Sequence, residues 1–547
     1  IQAISGYNDS ASDYDITDTA AALISAGDHV LDKAGVGVVT VSDGATSAQD
    51  GAFIAGFTAD VVFDVADDVV DLQSVMGTDD PASYLTEARS ITVDNGGGDR
   101  VVNANDGAIL AGFTADVDFD VVDDANAVAA EVTGIGNSLS DLDEAADVVV
   151  LSGDVTTVEA AAIQQISEYN ASGSDYEISD NAAAVIGAGV NVIEDDGVTR
   201  VEVLDDATAA QGVSLNAYSA DVDFDVRGTV DELTAVINLQ ASTAIASGNV
   251  LGSASYRPFI TNLDKAMSVT VTDGTASVQE ASDIQAIFNY DGISSNYDIE
   301  DTAAALISAG DPVLNVSGVD LITVDDGKGG ATVNANDGAM LASFTADVTF
   351  DISDTAANIA AQVASGVAQG SGPDSLDEAD SVFVESGAAV TAAQAESVQD
   401  LINYSGGDID ITDNAANLIS AGDHVLNVTG VDVVTVNDAV TGSKVTANDG
   451  AILAGFTADV EFDVADDVGA LKSVMGTNDP ASYLTEANSI TVNDGTGSSV
   501  VNASDGAILA GFTADVEFDV VDNFGGLTAV MGTNDPASYL TEANSIT

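Results

Sequence analysis

The chain has 547 residues, 91 of them acidic and 10 basic, for a net charge of −81. That balance excludes a nucleic-acid partner, which needs basic patches, while 46% hydrophobic residues exclude a disordered acidic tail. The absence of cysteine excludes disulfides and thiolate metal sites, and no apolar run reaches the roughly 18 residues of a membrane span.

The opening phrase, Ile1-Gln-Ala-Ile4, recurs as Ile284-Gln-Ala-Ile287, and the closing Ser545-Ile-Thr547 matches Ser489-Ile-Thr491. Both ends are therefore expected to cut through a repeat of a longer tandem protein. Two strand phrases then alternate. The first is Val39-Thr-Val-Ser-Asp43, with relatives at Ile91, Val269, Ile322, Val434 and Ile490. The second is Asp-Val-x-Phe-Asp-Val, seen around Phe63, Phe119, Phe224, Phe350, Phe462 and Phe518. Its variants are Tyr14-Asp-Ile-Thr-Asp18, Tyr176-Glu-Ile-Ser-Asp180, Tyr297-Asp-Ile-Glu-Asp301 and Ile409-Asp-Ile-Thr-Asp413. β-Branched residues alternating with polar ones are the strand signal. A third short strand is predicted at His29-Val-Leu31 and at Val425-Leu-Asn-Val428.

Between the phrases lie short helix candidates, such as Thr46 to Gly56, Asp18 to Gly27, Thr391 to Ile402 and Asp466 to Met475. They open on Asp or Thr, as N-caps do, and many close on Gly. The aromatic marker recurs after 56 residues from Phe63 to Phe119, and again from Phe462 to Phe518. The reading is α/β: one continuous array, an elongated β/α solenoid of about ten β-α-β-α repeats with parallel sheet and short Ala-rich helices. Approximate repeats run 1–37, 38–88, 89–146, 147–199, 200–266, 267–319, 320–379, 380–431, 432–487 and 488–547. An inserted loop is expected around Tyr256-Arg-Pro258, and a turn-forming phrase, Met76 to Glu87, returns at Met475 to Glu486 and Met531 to Glu542.

The 91 acidic residues are 73 Asp and 18 Glu, and Asp is a cap, turn former and cation ligand. In a single flat strand Asp116, Asp118 and Asp120 share one face, opposite Val117, Phe119 and Val121. Carboxylates at a strand's end and in the following turn are the candidate ligands of calcium, a hard cation that takes six to eight oxygens. The candidates are Asp64 with Asp67 and Asp68, Asp120 with Asp123 and Asp124, Asp463 with Asp466 and Asp467, and Asp519 with Asp522. The alternative for each is helix capping or plain hydration. Neither an EF-hand loop nor a Gly-Gly-x-Gly-x-Asp roll is present.

No catalytic constellation stands out. The two histidines, His29 and His424, share the phrase Ala-Gly-Asp-His-Val-Leu, in which a third copy has Pro312. There is no G-x-S-x-G elbow, P-loop or dinucleotide fingerprint. The chain is not expected to be an enzyme; paired carboxylates acting on polysaccharide are the residual enzymatic alternative.

The phrases Tyr14 to Leu23, Val39 to Gly44 and Val269 to Gly274 resemble repeats in giant acidic cell-surface proteins of marine bacteria, notably cyanobacteria. That group includes the type linked to non-flagellar swimming in Synechococcus and, more loosely, S-layer proteins and giant adhesins. The resemblance implies secretion to the cell surface and a structural role in a layer or filament. It also implies calcium dependence. Self-association into a filament or layer is expected, with a cell-surface polysaccharide as a further partner. A calcium-dependent adhesin stalk is the alternative. The acidic, Lys-poor surface also fits a halophile.

Overall fold

The computed structural model describes the chain apart from residues 1, 4, 6, 7, 9–12, 77–84, 86, 113–115, 135–141, 247–261, 328–329, 370–375, 439–441, 476–483, 485, 494–497, 512–514 and 531–542. The recurring phrase from Met76 to Glu87 and its copies fall largely outside the described residues, as does Tyr256-Arg-Pro258. Two compact units are present: Ile1–Asp273 with Asp283–Ser295, and Gly274–Ser282 with Asn296–Thr547.

Each unit is mixed α/β, built of short parallel strands alternating with short helices. In the first unit the longest sheet runs Val101–Val102, Asp120–Asp123, Asp147–Val155, Asp175–Asp180, Val198–Val203 and Val222–Asp223. In the second, a representative sheet orders Lys444–Val445, Asp463–Asp466, Ser489–Val492 and Val516–Glu517. Among the described residues every ladder between these strands is parallel, strand order within a sheet follows chain order although a strand of another sheet often intervenes, and the sheets are open. A helix or loop therefore carries the chain back between paired strands, as parallel pairing requires. Register advances 26 residues from Asp64 to Ser90, from Asp463 to Ser489 and from Asp519 to Ser545. The 56-residue sequence period thus spans about two strand-to-strand steps.

The helices form for local reasons. Ser47, Asn103, Thr208, Thr302 and Thr446 precede helices and accept an amide from the first turn, as N-caps should. Helix Ala104–Ala111 buries Ala104, Gly107 and Leu110 on one face. Gly107 sits mid-helix because the sheet comes close: a Cβ there would lie 2.8 Å from Val121 Cγ2 and 3.3 Å from Phe119 Cε2. The same approach recurs at Gly51, Gly212, Gly338 and Gly450. The core is aliphatic with sparse aromatics, and Phe63, Phe119, Phe224, Phe350, Phe462, Phe518, Tyr176 and Tyr297 are its largest fully buried side chains.

Two expectations are corrected. The Asp-Val-x-Phe-Asp-Val phrase is not one flat strand. Val117–Asp118 pairs with Ser90–Val93, whereas Asp120–Asp123 joins a different sheet, between Val101–Val102 and Asp147–Val155. Phe119 is the break: its side chain is buried and its carbonyl accepts Ala146 N, outside either ladder. The chain turns a corner there, burying both Val117 and Val121 while Asp118 and Asp120 stay on the partly exposed side. The Tyr-type phrases do form one continuous strand each, as in Tyr297–Asp301, with a register shift between Tyr297 and Ile299. The second correction concerns His29 and Val425, which lie in one-turn helices, Asp28–Leu31 and Asp423–Leu426. Gly27 and Gly422, at φ 64° and 63°, turn the chain immediately before each, and Leu31 N and Leu426 N donate to their carbonyls.

Candidate functional site

The aspartates expected to bind cations fall into three structural classes. The first closes strands. Asp67 Oδ2 accepts from Ala48 N at 2.8 Å and Oδ1 from Asp68 N at 3.0 Å. Asp123 does the same with Ala104 and Asp124, Asp466 with Ala447 and Asp467, and Asp522 with Ala503 and Asn523. The arrangement extends to residues not singled out from sequence. Asp180 takes Thr157 and Asn181, Asp301 takes Val278 and Thr302, Asp354 takes Ala335 and Thr355, and Asp413 takes Ala392 and Asn414. Each carboxylate ties its own helix entry to the first-turn amide of an earlier helix, a group with no partner inside that helix. Burial would push the Asp180 carboxyl up, but the Thr157 hydroxyl and the Asn181 and Thr157 amides outweigh it and hold the group below the usual range.

The second class caps. Asp68, Asp124 and Asp467 each accept an amide three residues on, from Asp71, Ala127 and Ala470, at 2.8 to 2.9 Å.

The third class begins the strand after the corner. Asp64 lies opposite Ser90, Asp463 opposite Ser489, and Asp519 opposite Ser545, and each serine hydroxyl donates to its aspartate at 2.5 to 2.7 Å. Ser443 and Ser499 donate to Asp463 and Asp519 from the other side. Asp64 is also paired with Arg89, which is the main reason its carboxyl is held low, ahead of Ser90. Asp463 and Asp519 are lowered by their flanking serines. At Asp120 the facing residue is Asp147 instead of serine, and here Arg100 bridges Asp118 at 2.6 Å and Asp120 at 3.2 Å.

Sequence spacing placed Asp64 with Asp67 and Asp68; the structure joins the latter two to Asp71. These three carboxylates offer oxygens within 4.8 Å of one another. The Asp68 and then the Asp67 charges push the Asp71 carboxyl above its ordinary value, the mark of crowded like charges. At the corresponding positions Asp71 is replaced by Ala127, Ala470 and Gly526. A second such group, Asp408, Asp410 and Asp432, was not anticipated. Its signal was the i, i+2 spacing of Asp408 and Asp410 in a strand phrase, but Asp432 joins only through the pairing of Ile409 with Val431. The matching sets elsewhere include Gly37, Thr199 or Asn296 in place of a carboxylate. Hard oxygen donors of this kind suit calcium or magnesium over softer metals.

His29 and His424 are both exposed, and the nearest carboxylate to His424 Nε2 is Glu396 at 3.8 Å. Among the described residues no helix is long and apolar enough to cross a membrane. Comparison with protein-family models, curated proteins and solved structures finds no match for this chain.

Proposed function

We propose that this chain is a structural repeat protein of a cell surface, secreted, non-catalytic and self-associating into a layer or filament. In this reading successive strands and helices stack as a β/α solenoid, and calcium at Asp67, Asp68 and Asp71 and at Asp408, Asp410 and Asp432 relieves the local crowding of carboxylates there, with mobile counter-ions screening the rest of a −81 chain. The observation that carries the reading is the recurring aspartate that fastens one strand's end to an earlier helix. A bond repeated through both units is spent on holding a stack in register, as quasi-one-dimensional repeat proteins require. The resemblance to giant acidic surface proteins supports the location, and a surface polysaccharide is a further partner in this reading.

The test pairs thermal melting with sedimentation, in EDTA and in calcium at constant ionic strength. Calcium is expected to raise the melting temperature and promote assembly, and Asp71→Asn with Asp432→Asn to remove most of the thermal shift. A melt indifferent to calcium would refute the cation role. A chain that stays monomeric throughout would refute assembly.

A further inference from the structure

The helical side of the first unit contains an open groove of about 590 Å³ between helices Ala125–Thr133, Thr157–Ile163, Ala182–Ala188 and Val190–Ile193. Its wall includes Val132, Val158, Ala161, Ala184, Gly187 and Val192, and among the described residues no charged one lines it. Val158, on its lip, is 72% exposed although apolar. The alanines and Gly187 make the space, since small side chains leave room where Leu or Ile would fill it. A Cβ added at Gly187 would have nothing within 4 Å.

The charge of the stretch of chain that builds the groove selects its occupant. From residue 101 to residue 199 the chain has 20 acidic and no basic side chains. Glu131 adjoins Val132 and Glu159 adjoins Val158 in sequence, so apolar wall and acidic surround come from the same helices. A second copy of a −81 chain meets this surface with like charge, so the self-association proposed above would have to use calcium-bearing faces elsewhere, whereas a cation-bearing apolar segment is drawn to it. We propose that this groove docks an amphipathic helix of another protein, apolar on the face that enters and rich in Lys or Arg on its flanks. The contact is the helix-in-groove mode, with anchors spaced i, i+3, i+4 and i+7. Its apolar anchors fill the space over Gly187 and its flanking cations meet the surrounding carboxylates.

The probe is a Leu/Lys peptide of about 18 residues with leucines at helical spacing. Three controls accompany it: the same composition scrambled to abolish the apolar face, a Leu/Glu version, and the whole chain carrying Gly187→Leu. The Cβ of that substitution has no neighbour within 4 Å, the longer side chain projects into the groove, and helix propensity rises, so a melting curve equal to or above wild type verifies folding. The expected result, by calorimetry in moderate salt, is one-to-one binding of the amphipathic cationic peptide, weakened at least tenfold by Gly187→Leu and by scrambling. Equal binding of the scrambled peptide, or equal binding to Gly187→Leu, would reduce the interaction to charge adsorption and overturn the proposal. Preferential binding of the Leu/Glu peptide, or a chain dimer abolished by Gly187→Leu, would overturn it in favour of a different occupant.

Discussion

Asp67 accepts the amide of Ala48, 19 residues earlier, at 2.8 Å while its other oxygen accepts the amide of Asp68 at 3.0 Å. One side chain thereby satisfies donors at two helix entries, groups that an isolated helix leaves unpaired. The same 19-residue reach joins Asp123 to Ala104, Asp354 to Ala335, Asp466 to Ala447 and Asp522 to Ala503. Of these, Asp67, Asp123, Asp466 and Asp522 are candidate cation ligands by sequence, and each also fastens the fold.

Asp466→Ala removes the acceptor of two backbone amides. Hydrogen bonds to charged groups contribute about 1.5–3 kcal/mol each, and since Asp466 is only half-buried and water can replace part of both bonds, the substitution is expected to cost on the order of 2–4 kcal/mol in a denaturant titration. Asp466→Asn, which keeps an acceptor oxygen, should cost less. The exposed Asp116→Ala serves as reference and should stay within about 0.5 kcal/mol of wild type.

Gly450→Ala should destabilise despite the gain in helix propensity. An added Cβ would lie 2.9 Å from Val464 Cγ2, 3.2 Å from Phe462 Cε2 and 3.3 Å from Leu484 Cδ2, so neighbours on several sides resist it. Overpacking of this kind costs about 1–3 kcal/mol, against a propensity gain of about 1 kcal/mol. The expected net loss is therefore small, and a lowered midpoint at unchanged slope checks it.

Asp463 titrates below the ordinary value of 3.8 because Ser443 and Ser489 donate to it. A depressed folded pKa contributes stability that is present above the unfolded value and lost as pH falls through the folded one. Ser489→Ala should move the Asp463 carboxyl up toward 3.8 and bring the onset of acid loss to higher pH. Carboxyl NMR titration follows the first effect and acid denaturation the second.

Arg100 stands where Asp120 faces Asp147 instead of serine. Arg100→Ala should lower the melting temperature by about 1–3 °C. Adding Asp147→Ser restores the Asp–Ser pairing found at Asp463 and Ser489, and should recover the loss. An Asp147→Ser change that leaves the Arg100→Ala defect intact would mean that packing of the arginine stem, not charge, is what matters.

Much of this was legible in the residues. Thr, Asn and Asp before Ala-rich runs marked the helix entries, because few other side chains reach the first-turn amides. The phenylalanines of the second phrase read as core and are core. The corner at Phe119 was hidden because burial alternates through it as in a flat strand: Val117, Phe119 and Val121 are all buried although the ladder changes sheet. The link from Asp67 to Ala48 was hidden for another reason. Its reach is 19 residues here but 23 from Thr157 to Asp180 and 21 from Ala392 to Asp413, so no fixed spacing exposes it without the strand register. Likewise Asp432 meets Asp410 only through a parallel pairing that the chain order does not reveal.

The most direct measurement of the central claim is native-state hydrogen exchange at the first-turn amides of Ala48, Ala104, Ala335, Ala447 and Ala503. Such amides ordinarily exchange quickly, having no partner within their helix. Here they should be protected nearly as well as the strand amides beside them, and Asp67→Ala or Asp123→Ala should strip protection from Ala48 or Ala104 respectively. Rapid exchange at these sites in the unaltered chain would contradict the account.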